Sequence, residues 1–296
     1  MNKVALLAIH GMGSTQRGFS HELVQDLTRK MNNHFAELVV FKEVYYQHIL
    51  QDNETEVWHK LAGKLRWDAL RQFILFGFAD AAGLEHRKEL PNSAYLQAQL
   101  EIARSLYQVS QQLDNTDKVV VLAHSLGCQV MSCYLWDATQ AAANPENPKV
   151  AAGIWRHIQQ HAQAIAGKDQ LSPEDIQFLQ GKRLALLVTT GCNIPIFVAA
   201  HKQSDIVPFA KPNKDFVWHN YYDKDDVLGW PLAELSPAYG ELVTDIRINA
   251  GGGILGWISK SWNPMSHGEY WEDKNLLKPL ARQLETLAMT GKLPPH

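Results

Sequence analysis

The chain has 296 residues, enough for one large α/β domain or two smaller ones, and a core of that size holds without disulfides or metals. A formal net charge of −3, with no stripe of Lys and Arg interleaved with aromatics, argues against nucleic-acid binding; the longest apolar run in the middle of the chain, Phe73 to Phe78, falls far short of a membrane span. The three cysteines, Cys128, Cys133 and Cys192, lie in or beside apolar segments, which reads as reduced, buried thiols in a soluble, cytoplasmic protein.

The start, MNKVALLAIHG, lacks a cleavage pattern, and Val4 to Ile9 reads as a first strand covered on both faces. It opens into His10-Gly11-Met12-Gly13-Ser14-Thr15. Gln16 occupies the place of the third glycine of a dinucleotide fingerprint and no Gly-Lys-Ser/Thr follows, so both nucleotide readings fail. Ser20 then reads as an N-cap, with Leu23, Leu27, Met31 and Phe35 along one helix face. Residues 38–46 read as the second strand. From about 51 to 92 there is no strand signal; Trp58, Leu61, Leu65, Leu70, Phe73, Ile74, Phe76 and Phe78 give an apolar, aromatic helical stretch, read either as an inserted cap or as helices that complete the core. Ser93 to Leu113 is a further helix.

Lys118 to Trp136 carries the clearest signal. A β-branched run, residues 118–123, breaks at Ala123-His124-Ser125-Leu126-Gly127 and resumes as a buried helix through Val130, Met131, Tyr134 and Leu135. A second helical excursion spans about 145–181, in which Ser172-Pro173-Glu174-Asp175 is a strong helix start. His157 and His161 lie four apart, but as His-Ile-Gln-Gln-His without a Glu base or third ligand, so no metal is expected there. Residues 184–190 are the next buried strand, ending in Gly191-Cys192-Asn193-Ile194-Pro195. Residues 216–222 alternate as a strand and run into Asp223-Lys224-Asp225-Asp226; residues 244–249 are the last strand. A glycine- and tryptophan-rich loop with His267 and a C-terminal helix from Asn275 to Thr290 complete the chain.

Strand, small-x-Ser-x-small and helix together resemble the nucleophile elbow of the α/β-hydrolase superfamily, with Ala123 where Gly is commonest. The resemblance runs through essentially the whole single domain, 1–296, and implies a mostly parallel sheet of about six strands flanked by helices, lacking the usual first two strands, with a helical cap over the site. It makes Ser125 the nucleophile and the N–H groups of Met12 and Leu126 the oxyanion donors. It places an acid after the strand at 216–222, where Asp226 fits best and Asp225 stands as the alternative. The family order Ser, acid, His leaves His267 as the base, since His296 is the last residue. His10, Gly11, His124 and Trp230 are then expected at the substrate site. The chemistry implied is acyl transfer through an acyl-enzyme, with no cofactor and no metal. The apolar stretch at 51–92 and Gly253 to Trp257 favour a small-molecule ester or thioester with an apolar acyl group; an amidase or peptidase, or a non-catalytic binding protein of the same fold, are the alternatives. Oligomeric state is not legible.

Overall fold

The computed structural model describes residues 1–11, 15–49, 60, 90, 93–250 and 270–294. Among them the expected cap at 51–92 is represented only by Lys60 and Leu90, and the loop at 251–269 lies outside.

Six strands form one sheet: β1 (Val4–Ile9), β2 (Val39–Val44), β3 (Lys118–His124), β4 (Leu184–Thr190), β5 (Val217–Asp223) and β6 (Val243–Ile248), in the order β2-β1-β3-β4-β5-β6. All five pairings are parallel. The expected six-stranded α/β sheet is therefore present, and parallel throughout its described strands. The reason is in the side chains. Every residue of β1 and β4 is buried, because a parallel sheet is covered on both faces and its strands cannot alternate with solvent. Alternate residues of β1 feed two cores: Ala5, Leu7 and Ile9 face one, Val4, Leu6 and Ala8 the other.

The helices are α1 (His21–Lys30), α2 (Asn33–Ala36), α3 (Ala94–Ser110), α4 (Leu126–Ala143), α5 (Ala162–Ala166), α6 (Pro173–Leu179), α7 (Ile194–Val198), α8 (Pro237–Leu242) and α9 (Lys274–Thr290). Leu23 and Leu27 of α1 and Leu276, Leu277, Leu280, Leu284 and Leu287 of α9 fill the core on one face of the sheet. Leu100, Leu106, Met131, Tyr134 and Leu135 of α3 and α4 fill the other, joined by Ile154, Trp155, Ile165, Phe178 and Leu179 from the excursion after α4. At about 25 cal/mol per Å² of apolar area, each such fully buried Leu stabilises by roughly 2 kcal/mol. Among the described residues no helix is long and apolar enough to cross a membrane.

Four local expectations need correction. The helix begun at His21 does not reach Phe35: Met31 is extended, and Asn32 caps the separate α2 by accepting the His34 N–H. Ser20 precedes α1 but does not cap it; its hydroxyl donates to Glu43 instead, at 2.9 Å. The second strand ends at Val44, because Tyr46 turns its N–H to the His10 ring rather than to a neighbouring strand. The segment with His157 and His161 is a 3₁₀ stretch, Gly153–His161, broken at His157. The start at Ser172, by contrast, forms a full capping box with Asp175.

The strand order reverses once. The chain runs from β1 outward to β2, then returns to lay β3 on the other side of β1. In open α/β sheets ligands bind in the crevice outside the carboxyl ends of the strands at such a switch point. The residues there are His10-Gly11 after β1 and His124-Ser125 at the end of β3.

Candidate active site

Ser125 joins β3 to the 18-residue α4 with φ 52° and ψ −123°. It is the one non-glycine residue with positive φ among those described. A side chain in that conformation costs on the order of 1–3 kcal/mol and persists only where its surroundings enforce it. Here they do. The Ser125 N–H donates to the Thr190 carbonyl at 2.9 Å, and the Cys128 N–H donates to the Ser125 carbonyl at 3.0 Å. A Cβ on Gly127 would lie 2.4 Å from the His10 carbonyl oxygen, and one on Gly11 would lie 2.6 Å from the Ser125 Cβ. The turn is thus pressed against the end of β1, which explains the glycine two residues after the serine.

Leu126 opens α4, and the first N–H groups of a helix have no acceptor within it and carry the positive end of its dipole. Met12, expected as the second oxyanion donor, lies outside the described residues, as does His267. Gly11, immediately before Met12, packs on Ser125 as given above.

His10 is buried. Its Nδ1 donates to the Gly11 carbonyl at 2.7 Å, its Nε2 accepts the Tyr46 N–H at 3.2 Å, and its ring stacks on Tyr46 at 4.2 Å. Burial lowers its pKa to about 4, so the ring is neutral. Both ring nitrogens of His10 are thus held by backbone groups. His124 is half-buried, with Nδ1 3.1 Å from both the carbonyl and the hydroxyl oxygen of Thr190. Trp230 is exposed; its N–H donates to the Cys192 carbonyl and its own carbonyl accepts from Asn220.

At the end of β5 the adjacent acids diverge. Asp225 is exposed on the turn, its N–H donating to Asp223 Oδ1 at 2.9 Å. Asp226 is buried: Oδ1 accepts the Leu228 N–H and Oδ2 accepts the Tyr270 hydroxyl, each at 2.9 Å. Asp223, which the sequence reading passed over, is buried as well. Burial pushes its carboxyl up, against the N–H groups of Asp225 and Ala250, with the charges of Asp225 and Asp226 adding to the rise.

Two more residues went unread: Tyr270 and Trp271. Trp271 donates its ring N–H to Thr190 Oγ1 at 3.2 Å, and Thr190 is the residue whose carbonyl holds the Ser125 N–H. Tyr270 binds Asp226. The segment that leaves residue 269 is therefore pinned between the strand end beside Ser125 and the carboxylate of Asp226. The aromatic pair three and four residues after His267 was the available signal.

Among the described residues no group of His, Cys, Asp and Glu has the arrangement of a metal site. No family model matches the sequence, and no match is found among curated proteins. A solved structure with a similar trace is the crystal structure of a C6-C4 SN3 inhibited esterase B from Lactobacillus rhamnosis; it is 12% identical, covers 97% of this chain and 80% of that chain, and superposes with a TM-score of 0.43.

Proposed function

We propose that this chain is a serine hydrolase of the α/β-hydrolase kind, acting on carboxylic esters or thioesters with an apolar acyl group through an acyl-enzyme. The observation that carries the reading is the enforced positive φ of Ser125 at a strand-to-helix turn, on the carboxyl side of the sheet beside its switch point. Ser125 is fully buried among the described residues, and its backbone conformation is the one a nucleophile elbow requires at that place.

The remaining roles follow from position. Asp226 is the acid, buried and fixed, while Asp225 stands in solvent. His267 is the base. It lies three residues before Tyr270, a span of at most about 11 Å, and Tyr270 and Trp271 are anchored to Asp226 and to Thr190 beside Ser125. That anchoring supports a base within reach of both. His267 takes the Ser125 proton as the oxygen attacks the acyl carbon; Asp226 holds the imidazole tautomer and stabilises the imidazolium. The N–H groups of Leu126 and Met12 receive the oxyanion, each worth about 10²–10³ in rate. His267 then protonates the leaving group, and water attacks the acyl-enzyme by the same path. The apolar acyl preference rests on the composition of residues 51–92 and 253–257.

The test is a fluorophosphonate probe and a series of p-nitrophenyl esters of increasing chain length on purified protein. Labelling of the wild type, its loss in folded Ser125→Ala, and turnover of the longer esters are expected. A folded wild type that neither labels nor turns over any ester ends the reading.

A further inference from the structure

Asp226 meets a group that the triad scheme does not use. Tyr270 is fully buried, and its hydroxyl has two polar partners: it donates to Asp226 Oδ2 and accepts the Asp223 N–H, both at 2.9 Å. The second bond is to the last residue of β5, so it refers the hydroxyl to the sheet itself. Gly229 closes the pair from the other side, where an added Cβ would lie 2.4 Å from Asp226 Oδ2 and 2.8 Å from the tyrosine oxygen. The Gly229 backbone is thus packed closely against both groups. The phenol does not give up its proton: burial and the adjacent Asp226 charge hold its pKa far above the ordinary tyrosine value. The donor is permanent at any pH the protein meets.

We infer that Tyr270 is a positioning residue for the proposed reaction, its hydroxyl fixing the Asp226 carboxylate against the end of β5 so that the acid presents one orientation to the base. The inference rests on the hydrolase reading. A hydrogen bond to a carboxylate is stronger than one between neutral groups, and it also draws charge off the oxygen that receives it. Removing it leaves a carboxylate that is freer to turn and more basic, facing an imidazole that is then protonated more readily. The other charged or titratable groups around Asp226 among the described residues are Asp223 and Asp225 on its own turn and His124, whose ring lies 5.9 Å from that of Tyr270. Changing Tyr270 to Phe leaves their charges in place, although it also removes the acceptor of the Asp223 N–H.

The experiment compares wild type and Tyr270→Phe by p-nitrophenyl butyrate kinetics across the pH range, with thermal melting of both. The variant is expected to lose about tenfold in kcat with KM within about twofold, and to move the acidic limb of kcat/KM to higher pH by about half a unit or more. A variant that keeps kcat within about twofold and its acidic limb unmoved overturns the inference while the hydrolase reading stands. So does a loss confined to KM, which marks a role in substrate binding instead. A wild type that turns over no ester overturns both. Should Tyr270→Phe fail to fold, 3-fluorotyrosine placed at position 270 keeps the ring and makes the phenol a stronger donor. The acidic limb then moves to lower pH, and an unmoved limb overturns the inference.

Discussion

At the scale of single residues, Ser125 is held in a conformation that almost any other position in the chain would reject. Its φ of 52° and ψ of −123° are imposed by the Thr190 carbonyl on one side and by the contact of Gly127 with the end of β1 on the other. Strain stored this way costs stability. Two variants that both lack the hydroxyl separate the effects. Ser125→Gly removes the Cβ that the conformation disfavours, and Ser125→Ala keeps it. Glycine normally costs about 0.5–1 kcal/mol relative to alanine in ordered structure. Here the order inverts: Ser125→Gly is expected to unfold at a higher denaturant midpoint than Ser125→Ala, by about 1 kcal/mol. Equal midpoints, or the ordinary order, would mean that the turn carries no strain. Both variants lose fluorophosphonate labelling.

At the scale of elements, the loop that carries Asp226 is held at both ends by different means. Tyr270 and Gly229 fix its start. Its far end is clipped by Asp245 of β6, whose carboxylate accepts the N–H groups of Leu232 and Ala233 and the Asn220 side-chain amide, while that amide also donates to the Trp230 carbonyl. Both carboxylate oxygens are used as acceptors. Asp245→Asn turns one into a donor facing an N–H, whichever way the amide is placed, and is expected to cost about 2 kcal/mol and to lower ester turnover through a displaced loop. Urea unfolding and kcat measured on one preparation check this, and a change under about 0.5 kcal/mol would show the clip to be dispensable. The clip was not legible in the sequence, and the reason is general. Val4–Ile9 and Leu184–Thr190 could be read because each is a local apolar run, and they lie where the runs place them. The serine turn could be read for the same reason, its spacing being local. What could not be read depends on partners far along the chain. Asp225 and Asp226 are equivalent as letters, and what separates them is a tyrosine 44 residues away. Tyr46 leaves the second strand because a histidine 36 residues earlier takes its N–H. The four-residue rhythm of Leu23, Leu27, Met31 and Phe35 runs straight across a helix break, because α2 sets Phe35 against the same core as α1; Asn32, a good N-cap, was the local sign of the break.

At the scale of the whole molecule, the site is built on the switch point of the sheet, and so is the protein's expected weakness in acid. His10 ties the end of β1 to the end of β2 through the Tyr46 N–H and the stacked Tyr46 ring, and the Tyr46 hydroxyl returns to the His10 carbonyl. The ring is neutral in the fold because burial drops its pKa from 6.5 to about 4. The sign follows directly: between those values the unfolded chain binds a proton that the folded chain does not. The stability due to neutral His10 is therefore fully present above pH 6.5 and is lost as pH falls toward 4. A shift of that size corresponds to about 3 kcal/mol. Other groups act in the neighbouring range. Glu43, whose hydrogen bonds from Gly18 and Ser20 outweigh its burial and lower its pKa from 4.5, loses stability in the same sense but only below that value. His161, lowered by partial burial and by His157, adds to the loss below pH 6.5, and Asp223, raised by burial from 3.8, opposes it from 3.8 upward. A variant isolates the His10 share. His10→Gln leaves the other three groups in place, loses the ring stacking on Tyr46 and so is less stable at pH 7, yet its unfolding free energy should fall by about 2–3 kcal/mol less than that of wild type between pH 7 and 4.5. Parallel curves for the two proteins would show that His10 does not report on folding. A flatter curve for the variant would mean that the buried histidine at the switch point of the sheet also sets the acid limit of the fold.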